Sequence, residues 1–185
     1  MSNPLATKLE RHIREINEAF MLLDEERIKH VVNTLKVVRA AGGTVWLAGN
    51  GGSAATASHF SNDLTKMGHV KAIAISDLTP TTLAYGNDNG WDQMFAHALE
   101  MHIGPKDAVI GISCSGNSKN IVAFLAMAKS RYKIAFTGPG YNRISKEVLP
   151  DILVQVMSDE ITVIEDVHSA ICHAIARSLQ DEYPA

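Results

Sequence analysis

The stretch TVWLAGNGGSAATASHF, residues 44–60, joins a short apolar run to a glycine-rich loop and then to residues that suit a helix. Val45, Trp46, Leu47 and Ala48 are apolar in succession rather than in alternation, which marks a strand buried on both faces. Runs of the same kind recur as VKAIAIS (70–76), DAVIGIS (107–113), KIAFTGP (133–139) and DILVQV (151–156), each separated from the next by a loop and helical sequence. Strands alternating with helices in this way predict a five-stranded, parallel, doubly wound α/β sheet. Ligands of such sheets bind beyond the C-terminal strand ends, so the chemistry is expected just after the strands.

Upstream of the first strand, Leu5, Leu9, Ile13, Ile16 and Phe20 recur at helical spacing. Ile28, Val31, Val32, Leu35 and Val38 repeat the pattern as far as Gly42 and Gly43. Two N-terminal helices over 1–42 therefore precede an α/β core over 43–185, and one domain accounts for the whole. The helix pair has either to cover the sheet or to pack on another subunit; a subunit interface is the expectation.

Hydrophobic residues make up 46% of the 185 and charged ones 20%, the balance of a globular protein. A net charge of -3 argues against a nucleic-acid partner and means that an anionic ligand needs local donors. Cys114 and Cys172 have neither paired-ligand nor disulfide-framework spacing and suit a reducing cytoplasm. The N-terminal sequence lacks the apolar core of a signal peptide and no later run reaches transmembrane length, so a cytoplasmic location without membrane contact is expected.

Two loops after predicted strands carry the chemistry. In Asn50-Gly51-Gly52-Ser53, glycines let the backbone approach a ligand at the start of a helix predicted over 54–66, although a plain strand-to-helix turn has the same composition. In Ser113-Cys114-Ser115-Gly116-Asn117-Ser118, three hydroxyls and a glycine surround the start of a helix predicted over 119–129. Hydroxyls and free N–H groups aimed at one point, with the positive helix end behind them, cradle a phosphate without lysine. Helix capping alone explains Ser118 but not three serines.

His59 and Asp63, four residues apart, share one helix face. Glu165, His168, Cys172 and His173 lie on a helix predicted over 162–179. At about 100° per residue, Glu165 and His173 are about 80° apart and about 12 Å apart along the axis, whereas His168 is about 140° from His173. Both histidines therefore cannot serve one site.

In order and near the family spacing, AGNGGSAATASHF (48–60), YGNDNGW (85–91), GISCSGNS (111–118) and VIEDVHSAICH (163–173) resemble the phosphoheptose isomerase branch of the sugar isomerase (SIS) family. The resemblance runs from about Val45 to the C-terminus. It implies a flavodoxin-like sheet and a homotetramer with active sites between subunits. It also implies conversion of sedoheptulose 7-phosphate to D-glycero-D-manno-heptose 7-phosphate through an enediol, with a divalent metal, commonly zinc, at about one per subunit. Carried onto this chain, it assigns phosphate and substrate binding to Asn50, Gly51, Gly52, Ser53, Ser113, Cys114, Ser115, Ser118 and Glu165, and a sugar-hydroxyl contact to Asp88. It makes Asp63 and His173 the acid–base pair and His59, Asp63, Glu165 and His173 the metal set.

The chain departs from that pattern where Cys114 replaces a threonine, Asp63 a glutamate and Glu165 a glutamine, and where Thr65-Lys66-Met67-Gly68-His69 lacks an arginine. These changes keep open an isomerase of a different phosphosugar. A non-catalytic relative that binds the bacterial replication initiator is the other alternative, and the retention of His173, which that branch typically lacks, favours the enzyme.

Overall fold

The computed structural model describes residues 4–128 and 132–181. Helices α1 (Pro4–Met21) and α2 (Glu25–Ala40) lead into β1 (Thr44–Gly49), α3 (Gly52–Lys66) and β2 (Lys71–Ala74). Then come α4 (Thr79–Asn89), α5 (Met94–Glu100), β3 (Ala108–Ser113), α6 (Lys119–Met127), β4 (Tyr132–Thr137), β5 (Ile152–Gln155) and α7 (Ile161–Gln180). All strand pairings are parallel, in the order β2-β1-β3-β4-β5. Strand order reverses between β1 and β3, so the two loops singled out in the sequence both leave the sheet at its switch point.

The continuous apolar runs divide between two cores. Val45, Leu47, Ile110, Ile112, Ile134 and Phe136 point to the face covered by α2, α3 and α7. Trp46, Ala48, Val109 and Ala135 point to the opposite face, under α5 and α6. Period-two alternation is present, but both sides are apolar because both are buried. Asp107 ties the start of β1 to β3: its buried carboxylate accepts hydrogen bonds from the Thr44 N–H at 2.8 Å, the Trp46 indole N–H at 3.0 Å and the Gly104 N–H at 2.8 Å.

The elements depart from the sequence reading at several places, and between β4 and β5 a single π turn, Ile144–Val148, stands where the sequence predicts a helix. β2 stops at Ala74 and the run closes in a 3₁₀ turn, Ile75–Asp77; as an edge strand, β2 has a ladder partner on one side alone. α6 ends at Met127, with Ala128 already extended, and the expected last residue, Lys129, lies outside the described residues. The N-terminal pair does not act as one unit. α2 covers the sheet through the fully buried Val31, Leu35 and Val38. α1 packs on α7 through Ala19 and Ile16, leaving Leu5, Leu9 and Ile13 at least half exposed.

Candidate active site

The turn out of β1 reverses sharply, with Gly51 at φ +52°, and α3 begins at Gly52. A Cβ on Gly52 would lie 2.5 Å from a carboxylate oxygen of Glu165, so the missing side chain is what lets α7 close against the start of α3. Across the switch point, Gly116 takes φ +62° and leaves space filled by the Asn142 side chain, which a Cβ would meet at 2.2 Å.

Between these turns lies a cleft of about 180 Å³ lined by Asn50, Ser53, Ser113, Cys114, Ser115, Ser118 and Glu165. Ser118 starts α6 but does not cap it with its side chain. The Ser113 hydroxyl donates to Ser118 Oγ at 3.1 Å, which leaves the Ser118 hydroxyl hydrogen for the cleft. Ser115 Oγ accepts from the Asn117 N–H at 3.1 Å and holds the loop in shape. The Asn117 side chain in turn accepts from the Arg143 N–H at 3.0 Å, bracing the loop against the segment after β4. Cys114 Sγ is 3.8 Å from Ser53 Oγ, and burial pushes its thiol above the ordinary range, so the position contributes a neutral side chain.

Farther along the same two helices, α3 and α7 bring together a second group. Asp63 Oδ2 is 3.3 Å from His59 Nε2 and 3.8 Å from His173 Nε2, and one ligand atom from each of the three residues falls within 4.8 Å of the others. The imidazoles meet edge to face at 5.0 Å between centroids. Asp63 is buried while both histidines are exposed, so the cluster opens outward from a fixed carboxylate. Two imidazole nitrogens and a carboxylate oxygen form a donor set of the catalytic zinc type, with a position left for a water or substrate oxygen.

The remaining assignments separate. Glu165 is not part of this cluster; its carboxylate lies over Gly52 at the serine-lined cleft. Asp88 sits exposed in the last turn of α4, accepting from the Asn87 amide at 2.8 Å, and does not line the cleft. His168 faces away from His173, as the helical angle requires, and is fully buried against Phe136. Burial pushes its pKa down to about 4. Its Nε2 lies 3.3 Å from the Thr137 carbonyl, and its Nδ1 is buried without a partner among the described residues. Cys172 is also buried, which with the nearby Asp63 charge raises its thiol far above the usual range.

Sequence reasoning missed Asn120. This residue is fully buried and exchanges two side-chain hydrogen bonds with Asn50. Its signal is a polar amide directly before the apolar run IVAFL of α6.

The SIS domain pattern matches residues 9–138. A phosphoheptose isomerase of Solidesulfovibrio magneticus is 33% identical over 165 residues, covering 85% of this chain and 79% of that protein. Among solved structures, phosphoheptose isomerase from Neisseria gonorrhoeae superposes with a TM-score of 0.87 at 29% identity, covering 95% of this chain and 97% of the other. A phosphoheptose isomerase from Francisella tularensis gives the same TM-score at 26% identity, with 98% and 100% covered.

Proposed function

Because the chain belongs to the SIS-domain family and, within it, to the phosphoheptose isomerases, we propose that it interconverts sedoheptulose 7-phosphate and the corresponding aldoheptose 7-phosphate. The observation that carries this reading is a serine-rich cleft without lysine or arginine in its lining, where the starts of α3 and α7 meet the β3–α6 loop, together with a His59–Asp63–His173 cluster farther along α3 and α7. The cleft suits a phosphate held by hydroxyls and helix-start N–H groups. The cluster suits proton transfer.

In the reaction, Asp63 removes a proton from C1 of the open-chain ketose and returns it to C2, while His173 moves a proton from the C1 oxygen to the C2 oxygen. The product aldehyde is then at C1, and both groups end in their starting protonation states. A divalent ion, zinc by its donor chemistry, would be held by His59, Asp63 and His173 and would supply positive charge to the enediolate oxygens. Glu165 is assigned to the wall of the phosphate cleft, where it can also contact substrate hydroxyls.

His59 and Asp63 follow Ser53 by six and ten residues on α3, about 9 and 15 Å along its axis. That span favours a site completed between subunits, in which the cluster of one faces the cleft of another. The exposed Leu5, Leu9 and Ile13 stripe of α1 supports assembly, and we assign a homotetramer. Unpaired Cys114 and Cys172 fit a cytoplasmic enzyme. Among the described residues, no helix is long and apolar enough to cross a membrane.

The test is incubation with sedoheptulose 7-phosphate and a panel of other ketose phosphates, before and after chelation and with zinc restored. Conversion of the heptose phosphate, lost on chelation and regained with zinc, is expected. Conversion of another ketose phosphate alone would reassign the substrate, and activity that survives chelation would remove the metal.

A further inference from the structure

Asn120 and Asn50 form a reciprocal amide pair across the switch point. Asn50 Nδ2 donates to Asn120 Oδ1 at 2.9 Å, and Asn120 Nδ2 donates to Asn50 Oδ1 at 2.8 Å. Asn50 is in the β1–α3 loop and lines the cleft, whereas Asn120, the second residue of α6, is fully buried. A carboxamide placed this way could otherwise be turned end for end, but a third bond removes the ambiguity. The Ile121 backbone N–H is shared between Asn120 Oδ1, at 3.0 Å, and the Ser118 carbonyl, at 3.1 Å, and a turned carboxamide would set its NH₂ against that donor. The oxygen end of Asn120 is thereby fixed by the helix backbone, and the reciprocal pair passes that polarity to Asn50.

We infer that Asn120 is a positioning residue: it sets which end of the Asn50 carboxamide donates in the phosphosugar cleft and locks the Asn50–Ser53 loop in register with the Ser113–Ser118 loop. The inference rests on the reading of that cleft as the phosphosugar site. Asn120 Oδ1 spends both lone pairs, on the Asn50 amide and the Ile121 N–H, whereas Asn50 keeps one N–H and one lone pair uncommitted and so reaches the ligand with a defined donor end and a defined acceptor end. A buried carboxamide with its bonds satisfied specifies one arrangement, because every alternative leaves a buried polar group unpaired.

The experiment is a double-mutant cycle with Asn50→Ala, Asn120→Ala and the double variant on the full chain, measuring KM and kcat for sedoheptulose 7-phosphate together with melting temperature. Each single variant is expected to raise KM about tenfold, as loss of one ligand hydrogen bond does. In the Asn50→Ala background the Asn120 change should add less than about twofold, since its effect passes through Asn50. KM changes that multiply, or an Asn120→Ala protein with lowered melting temperature but unchanged KM, would make Asn120 a merely structural residue. Should Asn120→Ala not fold, Asn120→Ser keeps a residue favoured near helix starts and carries the same cycle.

A second measurement needs no substrate. In wild-type protein labelled with ¹⁵N-asparagine, the side-chain NH₂ of Asn50 should exchange slowly compared with exposed Asn87, and Asn120→Ser should abolish that protection. Fast exchange in the wild type overturns the assignment. A wild type that converts no ketose phosphate refutes the phosphosugar reading, while the exchange result still decides whether Asn120 holds Asn50.

Discussion

His173 Nε2 stands 3.8 Å from Asp63 Oδ2, so a histidine on the C-terminal helix shares its surroundings with a carboxylate buried on α3. The imidazole is half exposed, and its removal leaves no core cavity. His173→Asn is expected to lower turnover by at least about a hundredfold, the scale of a lost acid–base group, with melting temperature nearly unchanged. His30→Asn, on the exposed surface of α2, is the appropriate control and should retain activity. Equal losses in both variants would refute the role of His173. His168 is unsuitable as a control because it belongs to the core.

His168 instead predicts a pH dependence of stability. Its folded-state pKa is pushed from 6.5 to about 4 by burial, so between these values the unfolded chain takes up a proton that the folded chain refuses. Stability is therefore full above about pH 6.5 and falls as pH drops towards 4, by a total of about 3 kcal/mol. Below that range both states are protonated and the loss stops growing. His168→Phe keeps a ring against Phe136 and cannot titrate. Melting curves between pH 7.5 and 4.5 should show a shallower decline for this variant than for wild type, and parallel declines would exclude His168 as the source.

Most of the architecture was legible because burial on both sheet faces leaves an unmistakable trace: Val45 through Ala48 cannot be a half-solvated strand. Gly52 and Gly116 likewise stand where their backbones make close approaches. The loops could be placed because each follows such a strand. What could not be read is how α7 lies along α3. Helical angles separate His168 from His173, but they do not reveal that Glu165 ends over Gly52 rather than with His59 and Asp63. The Asn50–Asn120 pair was hidden for the same reason: the partners come from different βα units, and only the strand order makes them neighbours.

Glu165 places a carboxylate in the wall of a cleft assigned to a phosphate. Like charges there oppose binding, and Glu165→Gln removes the repulsion without changing side-chain size. Affinity for inorganic phosphate, followed by calorimetry, should rise about three- to tenfold at low ionic strength and by less in high salt, where screening already weakens the repulsion. Zinc content should not change, because Glu165 lies outside the three-residue cluster. A fall in zinc content would instead put Glu165 in the ligand set, and unchanged phosphate affinity would remove it from the phosphate's vicinity.

The serine loop provides the most selective test of the cleft. Ser115 Oγ accepts the Asn117 N–H at 3.1 Å, so its own hydroxyl hydrogen remains available to an anion, and the same side chain keeps the loop folded around that anion. Ser115→Ala removes both contributions. Binding of sedoheptulose 7-phosphate should weaken by about 1–3 kcal/mol, the range for a hydrogen bond to a charged group, whereas the much weaker binding of unphosphorylated sedoheptulose should not change. The comparison separates a phosphate contact from general damage, since a distorted cleft would affect both ligands. Calorimetry on the two sugars measures the difference directly. Equal weakening for both would show that the hydroxyls after β3 do not hold the phosphate.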